Sequence, residues 1–252
     1  MKNTLGIIPA RMASSRFPGK PLKKIFDIPM LAHCYERALM SGACDKLVIS
    51  TPDQEIIDWA NSHDIPALLT SHNHKRASDR AKETTDILSR NNELYDLILL
   101  LQGDEPQIFP NDINNLKNAF TGKEFEVINL IYPVNTDDIK DPNVVKAIVD
   151  INLKIVFFSR SHIPHNSTNS FRQLGVIGFS NQALQCYSAL LPTPMEEIES
   201  IDMMRFLENN LCIQGVLSSS PILGVDQPED IKKIEESMLD DKLIHLYKNR
   251  YI

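Results

Sequence analysis

The run Leu97-Ile98-Leu99-Leu100-Leu101, followed at once by Gln102-Gly103-Asp104-Glu105-Pro106, sets the tightest limit on what this chain can fold into. A strand that is apolar on every residue must be covered on both faces, which is the position of a central strand in a parallel sheet flanked by helices. The sequence before it supplies the rest of such a sheet. Leu5-Gly6-Ile7-Ile8 reads as a buried strand, Pro29 to Leu39 as a helix with Leu31, Tyr35, Ala38 and Leu39 on one face, and Lys46 to Ser50 as a second strand. Asp53 to Ser62 reads as a helix with an acidic first turn, and Pro66 to Leu69 as a short strand. This β-α-β-α-β order predicts an α/β fold with right-handed crossovers.

From about residue 125 the pattern changes. Val127 to Tyr132, Val144 to Val149, Lys154 to Phe158 and Leu174 to Phe179 read as strands with few helices between them, a mixed-sheet extension of the parallel core. Asn166 to Ser170 is a polar loop. Helices are expected over Gln182 to Leu190, Pro194 to Glu208 and Pro228 to Met238, with a strand over Leu211 to Leu217.

Composition narrows the function. The net charge of −7 argues against a nucleic-acid partner, which a basic surface would favour. No apolar run approaches the roughly 18 residues a membrane span needs, and the opening MKNTLGIIPARMASSR is too polar for a secretory signal. A cytoplasmic location without membrane attachment is therefore expected. Cys34, Cys44, Cys186 and Cys212 are scattered, with no CxxC pair, and read as reduced residues in or near the core. His72-Asn73-His74 reads as a solvated loop.

Three segments carry chemistry. Pro9 to Pro21 follows the first strand and offers Arg11, Arg16 and Lys20 on a loop of small residues, with no acidic residue before Asp27. Backbone N–H groups and fixed cations in such a loop suit a triphosphate, although GxxxxGK[ST] is absent. Asp104 follows the central strand and faces the same crevice, where a carboxylate can hold magnesium while substrate phosphates complete its shell. Asp226, in Val225-Asp226-Gln227-Pro228, reads alone as a helix cap. Paired with Asp104 it becomes a candidate second metal carboxylate.

These segments resemble the CMP-3-deoxy-manno-octulosonate synthetases, bacterial cytidylyltransferases of lipopolysaccharide and capsule biosynthesis. The resemblance runs in order through residues 7–22 (IIPARMASSRFPGKPL), Leu101 to Pro106, Asp141 to Lys146, Phe158 to Pro164, Leu174 to Gly178 and Val225 to Asp230. It implies a Rossmann-like nucleotidyltransferase fold in one domain over residues 1–252, with about 125–215 as the acceptor-binding and dimerisation extension of a homodimer. It also implies a reaction in which the anomeric hydroxyl of a sugar acid attacks the α-phosphorus of CTP and pyrophosphate leaves. Arg11, Ser14, Arg16 and Lys20 would hold the phosphates, with Pro9, Ser78 and Gln102 completing the nucleotide site. Asp104 and Asp226 would hold Mg2+ and, with Lys20, form the catalytic set. Arg160, Gln173 and Asp202 would face the acceptor. Transfer of a phosphoryl group needs charge neutralisation and alignment more than a covalent nucleophile, and these residue types supply both.

Departures from the family pattern fall in two places. Arg76-Ala77-Ser78-Asp79-Arg80 stands where Ser-Gly-Thr-Asp/Glu-Arg is usual. In the acceptor region Gln173 replaces a histidine, Ile177 a tyrosine, Asp202-Met203 a Glu-Gln pair, and an arginine usual after Pro164 is missing. These changes predict an acceptor that keeps its acidic group but differs from 3-deoxy-manno-octulosonate in its distal substituents, or use of that sugar with a high KM. A related nucleotidyltransferase with a different acceptor or nucleotide is the alternative.

Overall fold

A computed structural model of the chain describes residues 2–14, 16–123, 126–135, 138–167 and 170–252. Ser15 of the opening motif and Thr168 and Asn169 of the expected polar loop lie outside the described residues. Eleven strands are described: β1 (Thr4–Pro9), β2 (Lys24–Ile25), β3 (Ile28–Pro29), β4 (Lys46–Thr51), β5 (Ala67–Leu69), β6 (Leu97–Leu101), β7 (Val127–Pro133), β8 (Lys146–Val149), β9 (Lys154–Ser159), β10 (Phe171–Ser180) and β11 (Ile213–Leu217). The helices are α1 (Met30–Met40), α2 (Gln54–Ser62), α3 (Ala77–Arg90), α4 (Pro110–Asn118), α5 (Asn181–Ala189), α6 (Pro194–Glu199), α7 (Met204–Glu208), α8 (Asp230–Ser237) and α9 (Ile244–Tyr247).

Nine strands form one sheet in the order β5-β4-β1-β6-β10-β7-β11-β9-β8, and β2 and β3 pair in a small hairpin. The first four are parallel to one another. Antiparallel β10 then joins β6 to β7, and the far edge is mixed. The central run behaves as its composition demands. Ile98 and Leu100 enter one apolar cluster with Ala81 and Leu88 of α3, while Leu99 and Leu101 enter another with Leu31 of α1 and Ile113 of α4. Strand order reverses at β1, because β4 and β5 lie to one side of it and β6 to the other. The crevice at such a switch point, beyond the carboxyl ends of the strands, is where α/β sheets bind ligands.

Several expectations need correction. Helices α3 and α4 are absent from the sequence reading. The single helix expected over Pro194 to Glu208 is two, broken where Ser200 adopts a left-handed conformation (φ 58°). Arg76 caps the break, donating to the Glu196 carbonyl and to Ser200 Oγ. Helix α8 starts at Asp230 rather than Pro228. Strand β8 begins at Lys146, not Val144, and β10 is longer than expected, starting at Phe171.

The C-terminal segment folds back on α1. Arg37 pairs with Asp241, and Glu36 accepts from Arg250 (2.7 Å) and the Tyr251 hydroxyl (2.6 Å). His33 is fully buried here, its Nε2 3.0 Å from the Ile25 carbonyl and its Nδ1 2.8 Å from the Tyr247 hydroxyl. A carbonyl can only accept, so Nε2 carries the proton and Nδ1 accepts from tyrosine. Burial lowers the His33 pKa to about 4, against the opposing pull of the Ile25 bond. The unfolded chain takes up this proton below about pH 6.5, the native chain only near its lowered value. The contribution of His33 is thus complete above pH 6.5 and is lost as pH falls toward 4, by about 3 kcal/mol in all. Urea titrations across that range should show His33→Gln flattening the fall relative to the parent protein; parallel curves would refute the assignment.

Candidate active site

The loop after β1 is a shaped one. Its course is set by the Met12 N–H donating to Asp53 Oδ2 (2.8 Å), by Gly19 N–H donating to the Met12 carbonyl (3.0 Å), and by Phe17, which buries its ring against Val225 and Ile234. Gly19 has φ 73°, a left-handed conformation that disfavours a side chain, and it starts a short 3-10 turn over Lys20–Leu22. The loop thereby turns Lys20 inward. Lys20 Nζ lies 2.7 Å from Asp104 Oδ2 and 2.7 Å from the Val225 carbonyl. The backbone N–H of Val225 donates to the Asp104 carbonyl (2.9 Å), so the segment before α8 is tied directly to the segment after β6.

Asp226 is not the cap of α8. The N–H groups of Asp226 and Gln227 both donate to Asp230 Oδ2 at 2.9 Å, which leaves the Asp226 carboxylate free to face the crevice. There Arg16 Nη2 reaches it at 2.9 Å, and Arg16 Nη1 donates to Asn143 Oδ1 at 3.0 Å. Each aspartate is therefore held by one cation of the basic loop.

These residues line one cavity of about 250 Å³. Pro9, Arg11, Ser14, Arg16, Lys20, Gln102, Asp104 and Asp226, all expected from sequence, are in its wall. So are His74, Lys75, Arg76, Ala77 and Arg80, from a segment that the sequence reading left largely without a role. Six lysines and arginines thus face two aspartates, a strongly positive interior in an acidic chain. His74 is not simply solvated: its Nε2 lies 2.5 Å from Glu83 Oε2. Arg80 donates to Thr70 Oγ1 (2.5 Å) and the Ser71 carbonyl (3.1 Å), and burial, then Arg11, hold its pKa below the usual range. The missed signal was the spacing of Ala77, Ala81, Thr84, Thr85 and Leu88, a helical face disguised by its hydroxyls.

Four expected site residues lie elsewhere. Ser78 is fully buried and donates to Asp202 Oδ2 at 2.7 Å, so it braces the wall behind the cavity rather than lining it. Gln173 Nε2 donates to Asn129 Oδ1 (2.7 Å). Arg160 Nε donates to the Glu199 carbonyl (2.9 Å) and Nη1 to that of Pro142 (3.1 Å). Asp202, with its pKa raised by burial, is the partner of Ser78. None of the four is in the cavity wall. Ile177 and Met203 belong to the apolar core with Phe179 and Phe206. A tyrosine at 177 would have to displace core side chains.

Strand β10 supplies the junction between the nucleotide loop and the mixed sheet. Its pairing with β7 is irregular between Gln173 and Ile177, and Asn129 fills the gap by donating to the Leu174 (2.9 Å) and Val176 (3.1 Å) carbonyls. Gly175 projects toward the Asp104 loop: its carbonyl accepts from Gln102 N–H (2.9 Å), and its N–H donates to Glu105 Oε1 (2.7 Å). Burial raises the Glu105 pKa to about 7, and the Gly175 bond opposes the shift. A Cβ on residue 175 would lie 2.5 Å from Gln102 Cγ and 3.0 Å from Glu105 Cδ. Gly175→Ala should displace Gln102 and cost about 1–3 kcal/mol of stability. Thermal melting tests this, and an unchanged melting temperature would show that the loop yields freely.

A cytidylyltransferase family description matches residues 5–219 of this chain. The chain belongs to the cytidylyltransferase family. Among its relatives, the 8-amino-3,8-dideoxy-manno-octulosonate cytidylyltransferase of Shewanella sp. (strain W3-18-1) is 36% identical over 243 residues, covering 94% of this chain and 98% of the relative. The 3-deoxy-manno-octulosonate cytidylyltransferase of Fusobacterium nucleatum subsp. nucleatum is 36% identical over 236 residues, covering 91% and 94%. A solved structure of CMP:2-keto-3-deoxy-manno-octonic acid synthetase complexed with CTP superposes with a TM-score of 0.86 at 28% identity, covering 95% of this chain and 99% of that one. For a cytidylyltransferase, the positive cavity at the switch point is the natural seat of the triphosphate.

Proposed function

We propose that this cytidylyltransferase transfers CMP from CTP to the anomeric hydroxyl of 3-deoxy-manno-octulosonate or a close sugar-acid relative, releasing pyrophosphate. The observation that carries the reading is the cavity in which Lys20 and Arg16 hold Asp104 and Asp226. Relatives that match nearly the whole chain act, by name, on octulosonates.

The reaction asks three things of the chain. Arg11, Arg16 and Lys20 replace water around the phosphate oxygens, and their fixed positions lower the reorganisation needed as charge moves onto pyrophosphate. Gln102 and the backbone after β6 form the cavity wall on the Asp104 side and would bound the α-phosphate there. Arg160 offers a planar guanidinium for the acceptor carboxylate. The donor set also suits Mg2+: two carboxylates in one cavity match an ion that completes its shell with water and substrate phosphates. Asp104 and Asp226 would hold it. When bound, the ion supplies charge compensation between the triphosphate and the attacking hydroxyl.

The acceptor is the open choice between two named relatives' substrates. Residues 76 and 77 line the nucleotide cavity, yet the Arg76 guanidinium is engaged with Glu196 and Ser200, which keeps its charge on the wall. We also assign the region of about 125–215 to acceptor binding and to pairing with a second copy, and the chain to the cytoplasm, as the family resemblance implies. Among the described residues no helix is long and apolar enough to cross a membrane.

Purified protein with Mg2+ and CTP should release pyrophosphate when given 3-deoxy-manno-octulosonate or its 8-amino-8-deoxy analogue. Comparing the two KM values tests whether the distal substituent is selected. Release with neither sugar acid would overturn the reading.

A further inference from the structure

Lys146 is the first residue of β8 and is fully buried. Its ammonium donates to three backbone carbonyls, those of Asp141 (2.8 Å), Val144 (2.8 Å) and Arg160 (2.6 Å). An ammonium has three N–H donors and no acceptor, so its capacity is filled. Among the described residues it makes no ion pair with a carboxylate. Placing an unpaired cation in the interior is costly, and burial accordingly lowers its pKa. An apolar residue would fill the same volume without that cost.

The three carbonyls share one neighbour. One belongs to Arg160 itself. The other two bracket Pro142, whose carbonyl accepts from Arg160 Nη1 at 3.1 Å. Glu199 completes the frame: its Oε2 accepts from the Arg160 N–H (2.8 Å), and its carbonyl accepts from Nε (2.9 Å). Arg160 is thus held at its backbone N–H, at Nε and at Nη1, while Nη2 has no protein partner among the described residues. The same turn carries Asn143, which accepts from Arg16 (3.0 Å) and so reaches the nucleotide side as well.

We propose that Lys146 is a positioning residue for the acceptor: its buried ammonium gathers the Asp141, Val144 and Arg160 carbonyls and so fixes the Arg160 guanidinium where the acceptor carboxylate binds. The proposal rests on the reading of Arg160 as the carboxylate-binding arginine. Lys146 touches no substrate. It sets the turn that sets the arginine, and a misplaced guanidinium loses the geometry that a planar, two-point contact with a carboxylate requires.

Steady-state kinetics with CTP and the octulosonate that is turned over will test it, using Lys146→Met and Arg160→Ala side by side. Lys146→Met should raise the acceptor KM about tenfold while changing the CTP KM by less than about threefold. A merely structural role would lower the active fraction, reducing kcat with both KM values unchanged, and that result overturns the proposal. If Arg160→Ala raises the acceptor KM but Lys146→Met does not, the proposal alone fails. If Arg160→Ala leaves the acceptor KM unchanged, the reading of Arg160 fails and takes the proposal with it. Should Lys146→Met not fold, Pro142→Gly decides: Pro142 is exposed, and loosening its turn should raise the acceptor KM about threefold. An unchanged acceptor KM in that variant overturns the proposal.

Discussion

Asp104→Asn is expected to lower kcat by about three orders of magnitude, or roughly 4 kcal/mol of barrier, with the fold retained. The carboxylate stands at the end of β6, 2.7 Å from Lys20 and in the wall of the cavity. On the proposed reading, its loss removes a charge that would compensate the transferring phosphoryl group, and the amide that replaces it would be a poorer ligand for magnesium. Asp226→Asn should behave similarly, because the Asp226 carboxylate faces the same space and not the amides of α8. Asp230→Asn is the contrast: it weakens the bonds to the Asp226 and Gln227 N–H groups and should affect stability more than turnover. Pyrophosphate release at saturating CTP and magnesium separates the three. Near-normal turnover in Asp226→Asn would show that this carboxylate serves only as the counter-ion of Arg16.

The parts of the site legible in the sequence are those where composition and position agree. A continuous apolar run announces β6, so whatever follows it must stand at a strand's carboxyl end, and Asp104 does. Arg11, Arg16 and Lys20, in a stretch with no acidic residue before Asp27, announce the loop after β1. Asp226 was ambiguous because a carboxylate ahead of a proline reads equally well as a cap; the ambiguity ends only when Asp230 is seen taking the amides. Helix α3 was missed for a different reason. Its inner face carries Ser78, Arg80, Thr84 and Thr85, and Thr84 bonds Ser50 of β4 across the interface at 2.7 Å. Burial through hydrogen bonds thins the fully buried apolar stripe to Ala81 and Leu88. Lys146 lies at the far end of this scale, since a lysine in a sequence reads as surface.

The candidates expected to face the acceptor were less legible because each is engaged by a residue distant in sequence. Gln173, Arg160 and Asp202 are each engaged by a neighbour distant in sequence: Asn129, Glu199 and Ser78. The Ser78–Asp202 bond also joins α3, which lines the cavity, to the turn between α6 and α7. A motif-by-motif reading assigns these residues directly to ligands, whereas the packing shows a braced frame whose open edges remain few, that of Arg160 among them.

Lys20→Met should lower kcat/KM for CTP by about 10²–10³-fold, or roughly 3–4 kcal/mol. The side chain is mostly buried and directed at two acceptors, Asp104 Oδ2 and the Val225 carbonyl. It ties the Asp226 segment to the Asp104 segment and, on the proposed reading, would also offer a cation to the phosphates. The variant Lys20→Arg distinguishes the two roles. A guanidinium keeps the charge, but its planar fork does not fit two acceptors that a compact ammonium reaches at 2.7 Å each, so substantial rescue is not expected. If charge alone mattered, Lys20→Arg would recover most of the activity lost in Lys20→Met. If the tie alone mattered, both variants would melt lower and lose turnover while their KM for CTP stayed normal. The expected pattern has both variants impaired in CTP use, because the loop turned by Gly19 delivers the ammonium to one point in the crevice, where the triphosphate and the Asp104 carboxylate must both be met.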